Sequence, residues 1–293
     1  MSSVAVVAHS GKSIGGGLLE LRRTLEASGV GEPQWYEVTK SKQAPKRVRQ
    51  ALEHGAELVF AWGGDGLVQR CIDVLAGTDV ALAIVPAGTA NLLATNLGLP
   101  KDIGAAVQIG LHGDRRPLDV GRLNGEHFAV MAGAGFDAGM IGDADGILKD
   151  RLGRLSYVWT GAKNLNFKPF GATIHVDGAQ WYQGSVSCIL VGNVGELFGG
   201  VDVFADARPD DGVLEIGVVT ADGIVQWLRT MARTAVGTPE KSPFVQTTKA
   251  RSVRVKLTRR VLYEIDGGDR TKTKKLRIEV EPGSVQICVP SSV

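Results

Sequence analysis

One carboxylate sits among three glycines in Gly63-Gly64-Asp65-Gly66, directly after the apolar run "ELVFAW" that ends at Trp62. A second glycine-bearing run, Pro86-Ala87-Gly88-Thr89-Ala90-Asn91, follows a second apolar run, "VALAIVP". After each, a helix-like pattern begins. Val68, Cys71, Ile72 and Leu75 recur at i, i+3, i+4 and i+7, the spacing of one buried helix face. Glycine loops leading into helix N-termini gather backbone N–H groups, which suits a phosphate chain. A side chain on Gly63 or Gly64 would block the approach. Thr89 can donate a hydroxyl, and Asn91 can hold the loop or reach a nucleotide. Asp65 is repelled by phosphate, so its place is either beside Mg²⁺, directly or through water, or at the cap of the next helix. A plain strand-to-helix turn accounts for GGDG taken alone; the second loop at the matching position favours phosphate.

Two competing phosphate motifs are absent. "SGKS" at Ser10–Ser13 is not a P-loop, because that motif needs glycine five residues before Gly11 and the residue there is Val6. No G-x-G-x-x-G opens the first helix, so a dinucleotide fingerprint is missing too.

The elements that must position these loops alternate through the first third. "VAVVA", "QWYEVT", "ELVFAW" and "VALAIVP" read as strands, separated by "GLLELRRTLEASG" and "APKRVRQALEHG", whose apolar residues fall at helical spacing and which close on Gly29 and Gly55. Continuous apolar strands between helices predict a parallel sheet covered on both faces, a Rossmann-like three-layer α/β domain. Crossovers in such a sheet are right-handed, so both glycine loops emerge at the carboxyl edge, where ligands of open α/β sheets bind. Beyond about Leu123 the pattern changes. "ATIHVDG", "SVSCILVGN", "GVLEIGVVT", "SVRVKLT" and "LRIEVEPGSVQICVP" alternate like half-buried strands, predicting an antiparallel β-sandwich. Its expected core faces are Ile174/Val176, Val186/Cys188/Leu190 and Leu276/Ile278/Val280, with helices near Leu152–Leu165 and Ile224–Ala235. The expected domains are 1–122 and 123–293, with residues near 286–293 returning to the first.

Composition narrows the class. The chain has 293 residues and a net charge of +2, which argues against a nucleic-acid partner. Cys71, Cys188 and Cys288 are three, scattered and without metal-ligand spacing, as expected of buried thiols in a reducing compartment. Neither a signal peptide nor a run of about 18 apolar residues occurs. The expectation is a cytoplasmic protein, with peripheral membrane association left open.

Taken together, GGDG and "VPAGTANLLATNLGLP" resemble the loops of the diacylglycerol kinase catalytic-domain family, which includes bacterial soluble diacylglycerol kinases, YegS-like lipid kinases and sphingosine kinases. The family loops read GGDGT and P-x-GT-x-N. "PLDVG" (Pro117–Gly121), "GAGFDAGM" (Gly133–Met140), "GRLSYVWTGAKNL" and "VGN" with "ADARPDDGVLEIGVV" resemble later family signatures, in family order along nearly the whole chain. NAD kinase also uses a GGDG loop, but these downstream matches favour the lipid group. The resemblance implies ATP and Mg²⁺ as cofactors and transfer of the γ-phosphate to a lipid hydroxyl, with diacylglycerol first and a sphingoid base as alternative. It implies that Gly63, Gly64, Asp65, Gly66, Leu67, Val68 and Gln69 cover the phosphates. Ser10, Gly11, Thr39, Gly88, Thr89 and Asn91 fall at the other nucleotide positions. Asp119 matches an acidic residue near the active-site magnesium. Asp211 matches a structural-metal ligand, helped by the carbonyls of Arg208 and Val213; a plain turn before a strand is the alternative. A homodimer stays open.

Two positions depart from the family. Leu67 replaces the threonine of GGDGT. In "YEIDGGDR", Gly268 stands where the family has the D-G-E glutamate, thought to be the general base. A catalytically weak lipid- or nucleotide-binding protein is therefore a second reading. Asp269, re-aimed by a one-residue bulge, or less readily Asp266, is the candidate replacement; Asp269 as a mere turn residue is the alternative. From Arg251 onward basic residues accumulate, among them Arg254, Lys256, Arg259, Arg260, Lys274, Lys275 and Arg277. They suit either a solvated sheet face or an anionic membrane surface.

Overall fold

The computed structural model describes residues 3–135, 169–197, 201–222 and 242–291, together with Gln226 and Thr230. The helices expected over Leu152–Leu165 and Ile224–Ala235 lie outside the described residues, Gln226 and Thr230 apart, as do residues 136–140 of the GAGFDAGM run. The chain divides into two compact units, Met1–Val120 with Pro282–Val293, and Gly121–Glu281.

The first unit alternates strand and helix: β1 (Val4–His9), α1 (Gly17–Ala27), β2 (Gln34–Val38), α2 (Ala44–Glu53), β3 (Leu58–Gly63), α3 (Asp65–Leu75), β4 (Ala81–Pro86), then α4 (Leu92–Asn96) and α5 (Ile103–His112). β1 pairs in parallel with β2 and β3, and β3 with β4. Gln286 and Ile287, near the end of the chain, add a further parallel pairing beside Ala81 and Leu82. Both faces of the sheet are buried, as its apolar runs require. Val6, Phe60 and Ala83 pack with Leu21 and Leu25 of α1 and Val107 of α5. The residues between them, such as Val7, Ala61 and Leu82, are buried as well, on the side where α2 and α3 pack together. The result is the three-layer α/β arrangement that the sequence implies.

The second unit is built of β5 (Asp114–Leu123), which begins in the first unit, β6 (Glu126–Phe128), β7 (Met131–Ala134), β8 (Phe170–Val176), β9 (Ala179–Val186), β10 (Cys188–Gly192), β11 (Glu196–Leu197), β12 (Val201–Asp202), β13 (Leu214–Val219), β14 (Val245–Ala250), β15 (Ser252–Ile265) and β16 (Gly268–Val289). Its neighbours run β14-β13-β10-β7-β15, and β15 also pairs with β8 and β16. These pairings are antiparallel. The core gathers Ile174, Val186, Ile216, Val255 and Leu276, confirming an antiparallel sandwich.

One sequence expectation needs correction. On β10 it is Ile189 and Val191 that join this core; Cys188 and Leu190 are buried, but outside it. The bend at Ser187 separates β9 from β10, and one residue out of strand geometry exchanges the two faces. The Glu281-Pro282-Gly283 run does not end the last strand. β16 continues through it to Val289, with Gly283 at φ +58°.

Candidate active site

β3 and β4 deliver the two glycine loops, and the loops meet. A Cβ on Gly64 would lie 3.0 Å from the Gly88 Cα. One on Gly88 would lie 2.4 Å from the Gly64 Cα and 2.6 Å from Asn91 Oδ1. A Cβ on Gly63 would strike Leu67 Cδ2 at 2.6 Å. The glycines are therefore required first by the protein itself, in addition to any ligand they admit. Gly66 is the roomy member; the nearest atom to its would-be Cβ is Ser41 Oγ at 3.8 Å.

Asn91 settles between its two sequence readings. It is buried, left-handed at φ 51°, and closes the second loop on itself. Its Oδ1 accepts from Gly88 N at 2.9 Å and its Nδ2 donates to Gly88 O at 2.9 Å. Asparagine tolerates this backbone better than most residues. Thr89, beside it, is exposed.

Asp65 does not cap its own helix. Gly64 is the N-cap of α3 and Asp65 is the first helical residue. The carboxylate reaches to the start of α4, where Oδ1 accepts from Leu93 N at 3.4 Å. Burial raises the Asp65 carboxyl above its ordinary 3.8, opposed by backbone N–H groups of Leu92, Leu93, Asp65 and Asn91. It is a partly desolvated acid in which burial outweighs the surrounding backbone N–H groups, the kind of group that gains from a cation.

The remainder of the GGDG run faces inward. The Leu67, Val68 and Gln69 side chains are buried. The N–H groups of Leu67 and Val68 bond to Gly64 O at 2.9 and 3.1 Å. Leu67 thus replaces a hydroxyl with core packing. As cofactor-binding candidates, Leu67, Val68 and Gln69 offer no exposed side chain.

At the ends of β1 and β2, Ser10 N donates to Val38 O at 2.9 Å and Ser10 Oγ to the same oxygen at 3.3 Å. Gly11 N donates to His9 Nδ1 at 3.1 Å. Gln43 Oε1 gathers Thr39 N, Thr39 Oγ1 and Lys40 N at 3.0, 3.3 and 3.2 Å. The Trp62 indole donates to Lys12 O at 3.1 Å, anchoring the loop after β1. His9, Gln43 and Trp62 escape sequence reading because nothing in their spacing marks them; only the strand register brings them to this edge. Asp119, buried on β5, accepts from Gly283 N at 2.7 Å, fixing the left-handed Gly283.

In the second unit Asp266 and Gly267, at φ 44° and 74°, form the two-residue turn between β15 and β16. Both central residues of such a turn need positive φ. The Asp266 carboxylate accepts from Ala129 N at 2.9 Å, Val130 N at 3.0 Å and Met131 N at 2.9 Å. That commitment makes it an anchor and corrects its reading as a replacement base. The expected bulge before Asp269 is also absent. Ile265 pairs with Gly268 and Glu264 with Asp269 in regular register, since a two-residue turn consumes both flexible residues and leaves none to re-aim the strand. Asp269 is exposed, opposite buried Glu264. Glu264 is an acid that sequence reading passed over; its burial at 1% exposure is tertiary.

Asp211 Oδ1 accepts from Val213 N at 3.2 Å, and Oδ2 lies 3.6 Å from Lys249 Nζ, which also pairs with Glu215 at 3.4 Å. An ammonium therefore already faces the carboxylate assigned to a structural metal with the Arg208 and Val213 carbonyls. No group of three His, Cys, Asp or Glu among the described residues is placed to cage a metal ion.

The three cysteines are buried and free. Burial pushes Cys71 up to about 12, Cys288 up to about 11 and Cys188 upward, so they are inert packing groups. No helix among the described residues is long and apolar enough to cross a membrane.

Residues 3–123 match the model of the diacylglycerol kinase catalytic domain, and residues 130–289 that of the YegS C-terminal NAD kinase beta sandwich-like domain. A Klebsiella pneumoniae protein named "Probable lipid kinase YegS-like" is 28% identical over 91% of this chain and 94% of its own. The diacylglycerol kinase of Bacillus subtilis is 27% identical over 85% and 83%. The crystal structure of a diacylglycerol kinase from Bacillus anthracis superposes with a TM-score of 0.78 at 25% identity, covering 98% of this chain and 97% of that one. An NAD kinase from Archaeoglobus fulgidus, at 11% identity and a TM-score of 0.55, shares the fold. Two family models in tandem, with relatives matched along most of their length, place the chain in the diacylglycerol kinase-like family of lipid kinases.

Proposed function

We propose that the chain transfers the γ-phosphoryl group of ATP, with Mg²⁺, to the hydroxyl of a membrane lipid, diacylglycerol first. One observation carries the reading: two glycine loops touch at the carboxyl edge of a parallel sheet, and a desolvated carboxylate, Asp65, sits beside their contact. The α3 N-terminus and the second loop supply backbone donors for the phosphates. Exposed Ser10, Gly11, Thr39 and Thr89 border the same edge and serve the nucleotide. Mg²⁺ that arrives with nucleotide phosphates needs only one or two protein carboxylates, so Asp65 fits it without a preformed cage. Bound there, the ion would neutralise charge on the transferring group. Asp119 holds the Gly283 backbone and positions rather than reacts.

Phosphoryl transfer rests mainly on positioning and charge stabilisation. Absence of the family glutamate at Gly268 therefore lowers the rate without removing the chemistry. No bulge re-aims Asp269, but it is the exposed acid next to Gly268, and on that ground it is the one we assign to the hydroxyl proton.

The test is phosphorylation of candidate lipids in mixed micelles with labelled ATP and Mg²⁺. Label in diacylglycerol is expected. Label confined to a sphingoid base redirects the substrate, and tight ATP binding without label in any lipid selects the weak binding protein favoured by Leu67 and Gly268.

A further inference from the structure

The sandwich carries two rungs of like charge. Across β15 and β16, Arg254 lies directly opposite Arg277, and Lys256 directly opposite Lys275. All four are exposed, while the intervening Val253, Val255, Leu276 and Ile278 are buried in the core. On the other side of β15, His175 pairs with Arg254 and Thr173 with Lys256. The edge beyond β16 is closed by Asn124, whose side chain exchanges hydrogen bonds with the Arg277 N–H and the Lys275 carbonyl. No acidic side chain forms an ion pair with these four cations among the described residues.

Like charges directly opposite on a sheet are destabilising, and a face needed only for solubility would alternate sign. Two consecutive basic rungs gain free energy only when something anionic covers them. The surroundings say what. Outward positions on the next strands are His175 and Thr173, then Gln180 and Gln183, with exposed Glu279 opposite Ser252 at the end of the rungs, so the face is a broad, mostly polar and basic sheet surface. His175 is the ring along these pairs, with no Phe, Tyr or Trp at their outward positions among the described residues, and the whole chain has a net charge of only +2.

We propose that the outer face of β8, β15 and β16, centred on Arg254, Lys256, Lys275 and Arg277, docks on the anionic surface of a lipid bilayer. The proposal rests on the lipid-kinase reading for its motive, since a lipid acceptor resides in a bilayer. Its observations are independent of that chemistry.

The experiment is co-sedimentation of the full chain with vesicles of phosphatidylcholine containing phosphatidylserine, against vesicles of phosphatidylcholine alone, at physiological ionic strength. Each basic residue near such a surface contributes about a fivefold gain in affinity. The quadruple variant Arg254→Gln, Lys256→Gln, Lys275→Gln, Arg277→Gln should bind the anionic vesicles weaker by on the order of a few hundredfold. Its melting temperature should not fall, because two repulsive rungs are gone, and its turnover on diacylglycerol dispersed in neutral detergent should match the parent's. The charge-keeping pair Arg254→Lys, Arg277→Lys should retain vesicle binding. Parent binding that ignores phosphatidylserine, a quadruple variant that binds like the parent, or loss of binding in the charge-keeping pair overturns the proposal. So does a parent preference for duplex DNA over anionic vesicles at the same salt. Vesicle binding lost in the quadruple variant of a protein that phosphorylates no lipid would uphold the docking face and overturn the kinase reading alone.

Discussion

Asp65 in the α/β unit is half-buried and Asp266 in the sandwich is buried; both are acids beside glycine, and both accept hydrogen bonds from backbone amides. Asp266 takes three, at 2.9 to 3.0 Å, from consecutive residues. Asp65 takes Leu93 N at 3.4 Å, and desolvation raises its carboxyl. The first carboxylate is solvated by the protein and has become part of the frame. The second is partly desolvated, and its carboxyl stays raised although the backbone N–H groups of Leu92, Leu93, Asp65 and Asn91 oppose the shift, which leaves its charge for another partner. An acid in a glycine-rich turn is thus assigned to structure or chemistry by how completely its oxygens are satisfied.

Four substitutions would break or sharpen this contrast. Asp65→Asn should have the largest effect, a fall in turnover of about 10³-fold, as expected when the group facing a phosphate-bound metal is lost. Its stability should move the other way. Because the folded carboxyl is raised, ionising it costs stability once pH passes the unfolded value. The penalty is absent in acid, grows as pH rises from the ordinary 3.8 through the folded value, and is fully present at neutrality. The Asn variant should therefore melt no lower than the parent at neutral pH and equal to or below it in acid. A neutral-pH drop with normal turnover would make Asp65 a structural acid like Asp266.

Asp266→Ala comes next, and on stability. Three buried N–H groups would lose their acceptor, each costing about 1–3 kcal/mol, so urea denaturation should show a loss of about 3 kcal/mol or more. Unchanged stability would end its role as anchor. Asp269→Asn should lower turnover by about 10²-fold with ATP affinity unchanged, the usual weight of a general base. Full activity in this variant would remove Asp269 from the mechanism and turn attention to buried Glu264. The smallest effect belongs to Gly88→Ala. Its Cβ would press on Gly64 and on the Asn91 amide, spreading the two loops. ATP affinity, measured calorimetrically, should fall by about tenfold, roughly 1.4 kcal/mol, and a normal affinity would mean that the loop contact is not what shapes the phosphate site.

Sequence alone determined the order of elements, the change from parallel α/β to antiparallel sandwich, the placing of both glycine loops at one sheet edge and the family. These follow from local signals. Apolar runs, helical spacing such as Val68/Cys71/Ile72/Leu75, and glycine after a strand each report on backbone that is near in sequence. The tertiary structure decided which residues those loops and turns are made for. It showed that Gly64 and Gly88 are kept small by each other, that Leu67 is core, that Asp266 is spoken for by Ala129–Met131, and that a lysine faces Asp211. It also turned a basic stretch into two like-charge rungs, because beyond the register shifts between Lys256 and Tyr263 the buried alternation of both strands sets β15 on β16. Each of these depends on atoms brought together from positions distant in the chain or across a turn, and hydrogen-bond satisfaction, burial and strand register are properties of the assembled neighbourhood that no residue's own type or local spacing encodes.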